Sequence, residues 1–160
     1  MVLEGSAILV KKIKKTMNKL IMLLLAVLFT SGAYSQNVKT IGTLTFNVTG
    51  FADNSGQLLV QLFRKEDKVP AHPFKQIKAT IINKKADAVI ENLPYGDYAA
   101  IFVHDKNSNG KIDHSWGIPS EPLGYTNNWK LSLFSGMPSF DKLKFTFSIA
   151  QEHFSIKMPE

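Results

Sequence analysis

From residue 40 onwards, apolar and polar side chains alternate along the chain, and this period of two predicts β-strands. Residues 40–50, "TIGTLTFNVTG", carry their apolar side chains on one face, at Ile41, Leu44, Phe46 and Val48. Residues 56–65, "GQLLVQLFRK", are apolar on both faces, with Leu58, Val60 and Leu62 on one and Leu59 and Phe63 on the other.

Five further segments have the composition of short strands, and no stretch after residue 35 has a convincing helical period. These segments cover residues 75–82, 86–92, 97–104, 142–149 and 153–158. Seven short strands separated mostly by turns predict an all-β fold, an antiparallel β-sandwich of immunoglobulin-like or transthyretin-like type.

Residues 105–141 interrupt this regular spacing and are predicted to form a loop of 37 residues. A loop of that length in a small domain usually has a function or its own means of stabilisation. If consecutive strands run antiparallel, the turns near 50–56 and 83–85 lie at the same end of the sandwich as this loop. Asp53 and Asn54 are then expected near the loop, and Asp97 at the opposite end.

The first 35 residues have the order of a secretory signal peptide. A basic run, "KKIKKTMNK" (11–19), precedes ten apolar residues, "LIMLLLAVLF" (20–29), and then the small and polar residues of "TSGAYSQ". Cleavage is predicted after Ser35, which leaves residues 36–160 as one mature domain. The alternative is a membrane anchor, but ten helical residues span about 15 Å, roughly half of a bilayer core.

Removal of this leader changes the charge of the protein. The full chain has a formal net charge of +6, but five of its lysines precede residue 36, and the mature part has 14 basic and 12 acidic residues. A net charge of +2 without a basic cluster does not favour a nucleic-acid partner. The chain has no cysteine, so neither disulfides nor a lipid-modified cysteine is available. Because the leader predicts export, a periplasmic or extracellular location is expected.

The stretch "HDKNSNGKID" (104–113) opens the long loop and has the oxygen spacing of a calcium-binding loop. Alternate positions supply oxygens, and Gly110 lies where such a loop bends sharply. If Asp105 is counted as position 1, position 12 is Trp116, where such a loop normally has a bidentate glutamate, and the nearest carboxylate that can replace it is Glu121. The predicted Ca²⁺ ligands are Asp105, Asn107, Asn109, the carbonyl of Lys111, Asp113 and Glu121. The alternative is a polar turn whose Asp and Asn side chains bond their own backbone.

The same region resembles a family of exported bacterial proteins, domain of unknown function 2141. The resemblance rests on "LPYGDYAAIFVHDKNSNGKIDHSWGIPSEPLGYTNN" and "GMPSFDKLKFTFS", and it extends from about residue 41 to 158. Pro122-Leu123 and Tyr125-Thr126 depart from the family's pattern, but neither pair includes a predicted calcium ligand. The resemblance implies an exported β-sandwich and brings no activity or substrate.

The favoured hypothesis is a non-enzymatic module in which weakly bound calcium orders the loop as a binding surface. Four aromatic residues of the loop could contact a glycan, a peptide or an envelope protein, or could fold back onto the sandwich: Trp116, Tyr125, Trp129 and Phe134.

An enzyme is the second hypothesis, as a metal-assisted hydrolase using His104, Asp105, Asp113 and His114. Side chains alternate along a strand, so His104 and Asp105 should face opposite ways, which weakens a joint site. The chain has no HExxH motif, nucleophile elbow or cysteine. The third hypothesis is a structural component of an envelope assembly that binds by strand addition at a sheet edge.

Overall fold

The computed structural model describes residues 11–20, 22, 40–132 and 134–159. The chain divides into two compact units, Met1–Val38 and Lys39–Glu160. Helix α1 covers residues 11–20 of the first unit. The predicted cleavage site after Ser35 and most of the apolar run before it lie outside the described residues. Among the described residues, no helix has the length and hydropathy needed to cross a membrane.

The second unit is built from short strands, with one short α-helix and one 3-10 turn. The strands are β1 Ile41–Thr49, β2 Gln57–Phe63, β3 Lys75–Thr80, β4 Lys85–Pro94, β5 Gly96–Asp105, β6 His114–Ser115, β7 Ile118–Pro119, β8 Leu123–Tyr125, β9 Phe145–Phe147 and β10 His153–Lys157. The 3-10 turn is Thr126–Asn128 and helix α2 is Phe140–Leu143. Each of the seven predicted strand segments overlaps a strand of the structure.

The strands form a β-sandwich, which confirms the predicted fold class. One sheet has the order β10-β1-β4, and the other has the order β3-β2-β5-β8, with β9 also paired to β5. Strands β6 and β7 form a separate two-stranded hairpin. Pairing is antiparallel except between β1 and β10, which run parallel.

The main core lies between the two sheets, as the alternation of apolar residues predicts. Leu44, Phe46 and Val48 of β1 are almost completely buried in one cluster with Leu58, Val60 and Leu62 of β2. The ring of Phe46 meets those of Phe102 and Phe145 edge to face, at centroid distances of 4.9 and 5.6 Å. Each large side chain buried in this way contributes on the order of 1.5–3 kcal/mol to folding. This core fixes β5, whose last residue begins the candidate site.

A second cluster covers the outer face of the five-stranded sheet. Leu59 and Phe63 of β2 and Ala99, Ile101 and Val103 of β5 pack there against Tyr125, Phe140 and Leu143. These last three residues come from the connection after β5, which therefore folds back over the sheet. This explains why β2 and β5 are apolar on both faces.

Two predictions need correction in this region. Residues 105–141 are not one irregular loop, because they contain β6, β7, β8 and the 3-10 turn. The predicted strand 142–149 is a strand only over Phe145–Phe147, and its start belongs to helix α2. Phe140 and Leu143, three residues apart, are both buried, so one helical turn places both side chains on the sheet.

Candidate calcium loop

Asp105, the last residue of β5, is a buried carboxylate at the start of the candidate site. Its side chain is completely buried, and its Oδ2 accepts hydrogen bonds from Gln57 Nε2 at 2.7 Å and from the Gly110 amide at 2.8 Å. Its Oδ1 accepts a third from the Asn109 amide at 3.1 Å. Burial alone would raise the pKa of Asp105, but these hydrogen bonds outweigh it and hold the pKa below its usual value.

The chain after Asp105 wraps around the carboxylate of Asp113. The side-chain amides of Asn107 and Asn109 donate to Asp113 Oδ2 and Oδ1 at 2.6 and 2.9 Å. Their own Oδ1 atoms accept hydrogen bonds from the amides of Asn109 and Lys111 at 3.0 and 2.8 Å. Gly110 has a φ of 76°, which glycine adopts without steric cost. The predicted positions 1, 3, 5 and 9 therefore lie in one compact loop.

Glu121 closes this loop from the far side of the β6–β7 hairpin. The hairpin turns the chain back, and the Ser120 amide donates to the Asp113 carbonyl at 2.8 Å. The carboxylate of Glu121 then accepts hydrogen bonds from the Lys106 amide at 3.0 Å and the Asp113 amide at 3.2 Å. Glu121, although distant from Asp105 in sequence, thus lies against the loop backbone at both of its ends.

The donor chemistry of the loop fits a hard cation if the two asparagines take part. Within the described residues, no three His, Cys, Asp or Glu side chains form a cluster that could hold a metal ion. Asn107 and Asn109 present their NH₂ groups to Asp113. Rotation of each amide by half a turn would present an oxygen instead and would break the hydrogen bonds that their Oδ1 atoms accept from the backbone. Ca²⁺ prefers six to eight such oxygens.

One basic side chain lies beside this loop. A Cβ placed on Gly110 would be 2.9 Å from Lys78 Nζ, and the charge of Lys78 also helps to lower the pKa of Asp105. An ammonium group at this position repels an incoming cation.

The turn before β2 packs against the backbone of the loop. A Cβ on Gly56, which has a φ of 67°, would lie 2.1 Å from the carbonyl oxygen of Asp105, so this turn touches the loop backbone. Asp53 Oδ2 is 3.8 Å from Lys106 Nζ, and Asn54 Oδ1 accepts from the Lys84 amide at 2.7 Å.

Asp97 lies at the other end of β5 from the loop. It starts the strand that Asp105 ends, and its Oδ1 accepts a hydrogen bond from Thr146 at 2.7 Å. The predicted placement of the turns is confirmed.

His104 does not face the loop. Its ring is 1% exposed, its Nε2 lies 2.9 Å from the Ser55 carbonyl oxygen, and it packs edge to face on Phe51 at 5.2 Å. Asp105, one residue later, points to the other side of the strand. His114 lies exposed on β6. The four residues of the hydrolase hypothesis are therefore not assembled around one point.

The four aromatic residues of the long connection divide into two pairs. Tyr125 is buried and meets Trp129 edge to face at 4.7 Å, and burial raises the pKa of Tyr125 to about 12. Trp116 and Phe134 are 100% and 99% exposed. Two aromatic residues thus fold back onto the sheet, while two project from the surface.

A groove of about 800 Å³ runs between β8 and the end of β10. Leu123, Trp129 and Ile156 line it, and so does Glu121, which also belongs to the loop. Sequence reasoning missed this groove because its walls come from two sheets that meet only in the folded chain. Among the described residues, no strand pairs with the outer edge of β8 or β10.

Residues 46–155, which extend from β1 into β10, match the family described as "Uncharacterized protein conserved in bacteria (DUF2141)". The chain belongs to this family. No curated protein and no solved structure matches the chain. Membership in the DUF2141 family confirms the resemblance seen in the sequence, and the matched span includes the candidate loop and the hairpin. The family is uncharacterised, so any function must be argued from the residues themselves.

Proposed function

We propose that this DUF2141 protein is an exported, non-enzymatic module whose loop 105–113 binds Ca²⁺ together with Glu121. The observation that carries the proposal is the hydrogen-bonded network that joins Asp105, Asp113 and Glu121 through Asn109 and the loop backbone at the end of β5. The carboxylates of Asp105 and Glu121 accept from backbone amides, and that of Asp113 accepts from the side-chain amides of the two asparagines. A plain turn needs no carboxylate from residue 121, whereas a calcium loop needs one to complete its oxygen set.

The proposed ligands also determine the expected affinity for calcium. Asn107 and Asn109 are neutral, the Lys111 ligand is a backbone carbonyl, and Lys78 lies nearby. Few charged ligands and a neighbouring ammonium group give a dissociation constant on the order of 10⁻⁴–10⁻³ M, the range of extracellular calcium modules. Such a site is filled where calcium is millimolar, which agrees with the proposed export.

Export is proposed from the leader sequence and has its own test. Intact-mass analysis of the protein recovered from a secreting host should give an N-terminus at or within a few residues of Gln36. A mature chain that retains residues 17–35 would favour a membrane anchor instead.

The metal-assisted hydrolase has less support. His104 Nε2 donates to the Ser55 carbonyl oxygen, on the opposite side of β5 from Asp105, so His104 does not stand beside the loop as a general base. The module is therefore proposed to act by binding.

A calcium titration followed by NMR tests the proposal directly. The Gly110 amide donates to the buried carboxylate of Asp105, so its resonance reports on the loop itself. Calcium should shift this resonance in a saturable way, with a midpoint of about 0.1–1 mM. In Glu121→Gln the midpoint should rise severalfold. In the control Glu91→Gln, an exposed residue of β4, it should stay unchanged. Absence of any shift of Gly110 at 10 mM calcium, on the order of ten times the expected constant, would contradict the proposal.

A further inference from the structure

The β6–β7 hairpin displays two apolar side chains to solvent. Trp116 is 100% exposed and Ile118 is 67% exposed. Ser115 pairs with Ile118, so the turn consists of Trp116 and Gly117 alone, with φ values of 53° and 78°. Positive φ suits a two-residue hairpin turn, but a bulky residue rarely adopts it. A tryptophan at this tip therefore gains nothing for the fold, either by burial or by conformation.

The hairpin is attached to the proposed calcium site at both of its ends. Asp113 directly precedes β6, and Glu121 follows β7 by two residues. The Ser120 amide donates to the Asp113 carbonyl at 2.8 Å, and the Asp113 amide donates to Glu121 Oε2 at 3.2 Å. Two proposed ligands thus hold the two ends of the stem, so calcium would fix the direction in which Trp116 points.

Calcium would also reverse the charge at the base of the hairpin. Residues 105–121 contain three carboxylates and two lysines, a net charge of −1 with neutral histidine, and one Ca²⁺ changes this to +1. Lys106 and Lys111 are both exposed. The segment therefore repels an anionic surface without calcium and attracts it with calcium.

The shape of the tip indicates what kind of surface it fits. A Cβ on Gly117 would have no other atom within 4 Å, so the tip is convex and carries no pocket for a small ligand. Tryptophan prefers the interface between lipid headgroups and hydrocarbon, where a soft surface accepts a protruding ring.

We propose that the calcium-loaded hairpin docks onto an anionic phospholipid bilayer, with Trp116 and Ile118 inserted among the headgroups. This inference rests on the proposed calcium site. Two inserted side chains give weak and reversible attachment, so the contact depends on both the apolar tip and the charge.

Tryptophan fluorescence of the full protein tests the inference, since the chain has two tryptophans. In the variant Trp129→Phe, Trp116 is the single reporter. Its emission should move to shorter wavelength with phosphatidylcholine vesicles that contain phosphatidylglycerol, and only with calcium. In Trp116→Phe, the remaining Trp129 should show no such movement.

Vesicle sedimentation measures the fraction of protein bound to vesicles, and it compares two variants that are expected to retain both the fold and the calcium response. Trp116→Ser should lower the bound fraction by roughly tenfold and leave the calcium shift of the Gly110 amide intact. Phe134→Ser, at the other fully exposed aromatic residue, should change the bound fraction little.

The outcomes separate the two proposals. If calcium shifts Gly110 but the emission of Trp116 does not respond to anionic vesicles, the lipid proposal is overturned and the calcium proposal stands. The lipid proposal is also overturned if vesicles act equally with chelator or without phosphatidylglycerol, or if soluble glycan or peptide, and not vesicles, moves the emission. If calcium leaves Gly110 unshifted, the calcium proposal fails first.

Discussion

A single residue, Asp105, connects the folded sheet to the proposed calcium site. Its carboxylate is completely buried and accepts hydrogen bonds from Gln57, Asn109 and Gly110. Because the pKa of Asp105 lies below its usual value, the side chain carries its negative charge at neutral pH. The same oxygens that organise the loop are then available to a cation that enters it. This agrees with the spacing argument, which assigned Asp105 to position 1.

Lys78 should weaken calcium binding through its charge. Its Nζ lies next to Gly110, so Lys78→Gln removes a repulsion and should tighten calcium binding by about two- to fivefold, a surface-charge effect. Lys75→Gln is the matched control, since Lys75 lies on the same strand opposite Leu62, away from the loop. Calcium titrations of both variants measure the difference. Equal affinities for the two variants would show that Lys78 does not act on the site.

A pH prediction concerns Asp67 in the turn after β2. The hydrogen bond from the Arg64 side chain lowers the pKa of Asp67, and Asp67 Oδ2 also accepts from the Arg64 amide at 2.7 Å. A lowered folded-state pKa adds stability above the unfolded value of about 3.9, and that stability is lost as the pH falls through the folded pKa. Asp67→Asn should therefore cost about 1 kcal/mol at pH 7 and much less at pH 2 to 3.

The control for this prediction is Glu66→Gln. Glu66 Oε1 lies 3.1 Å from Arg64 Nε, but its side chain is 64% exposed, against 14% for Asp67. Solvent screens such a pair, so the cost should be below about 0.5 kcal/mol. Urea unfolding at both pH values measures these costs. A penalty for Asp67→Asn that is the same at pH 7 and pH 3 would rule out the charged hydrogen bond as its source.

At the scale of elements, the alternation of apolar residues was enough to predict seven of the ten strands, because burial of one face follows the period of the backbone. The pattern in β2 placed Leu59 and Phe63 on the face opposite Leu58, and both are buried in the outer cluster. Helix α2 was missed, since four residues show barely one helical turn and Phe140 and Leu143 make sense only against the sheet that they cover. The tight turn at Trp116-Gly117 has only a weak sequence signal, a glycine between two apolar residues.

The candidate site was predictable in part for the same reason. The spacing of Asp105, Asn107, Asn109 and Asp113 is local, so the sequence contains it. Glu121 could be named as a candidate only by its proximity in sequence. Its actual approach depends on the β6–β7 hairpin, whose two-residue strands are too short for any periodic pattern.

The turn before β2 should control the loop through direct contact. Gly56→Ala would place a methyl group 2.1 Å from the Asp105 carbonyl oxygen at a φ of 67°, which should cost about 2–4 kcal/mol and reduce the stabilisation by calcium. Gly117→Ala is matched, because its φ is 78° but its surroundings are open. It should cost about 1 kcal/mol and preserve the calcium effect. Thermal melts with and without calcium compare the two, and equal losses would disprove the contact.

At the scale of the whole molecule, the proposed calcium site would couple the stability of the β-sandwich to an ion bound at one end. The chain has no disulfide to stabilise it. With about 2 mM calcium and a dissociation constant of about 0.1 mM, linkage gives roughly 1.8 kcal/mol of stabilisation. For the 125 residues that follow the predicted cleavage site, this corresponds to about 7 °C in melting temperature. Magnesium should give much less, because it requires tight octahedral geometry and loses water reluctantly.

The effect of calcium on the melting temperature should depend on whether the substituted residue contacts the loop. Asp105→Ala removes the acceptor of three hydrogen bonds, so it should lower the melting temperature and abolish the calcium effect. His104→Ala should lower the melting temperature by loss of core packing but retain most of the calcium effect, and His114→Ala should change it little. A strong zinc effect that both histidine variants lose would favour the metal-assisted hydrolase instead.

The most direct test of calcium binding is the melting temperature of the chelator-stripped mature protein, measured with 2 mM calcium, with 2 mM magnesium and with neither ion. Over the proposed range of dissociation constants, we expect a rise of about 2–7 °C with calcium, a much smaller rise with magnesium, and no calcium effect in Asp105→Ala. If the stripped protein melts at the same temperature with and without calcium, residues 105–113 form a polar turn and the proposed function is wrong.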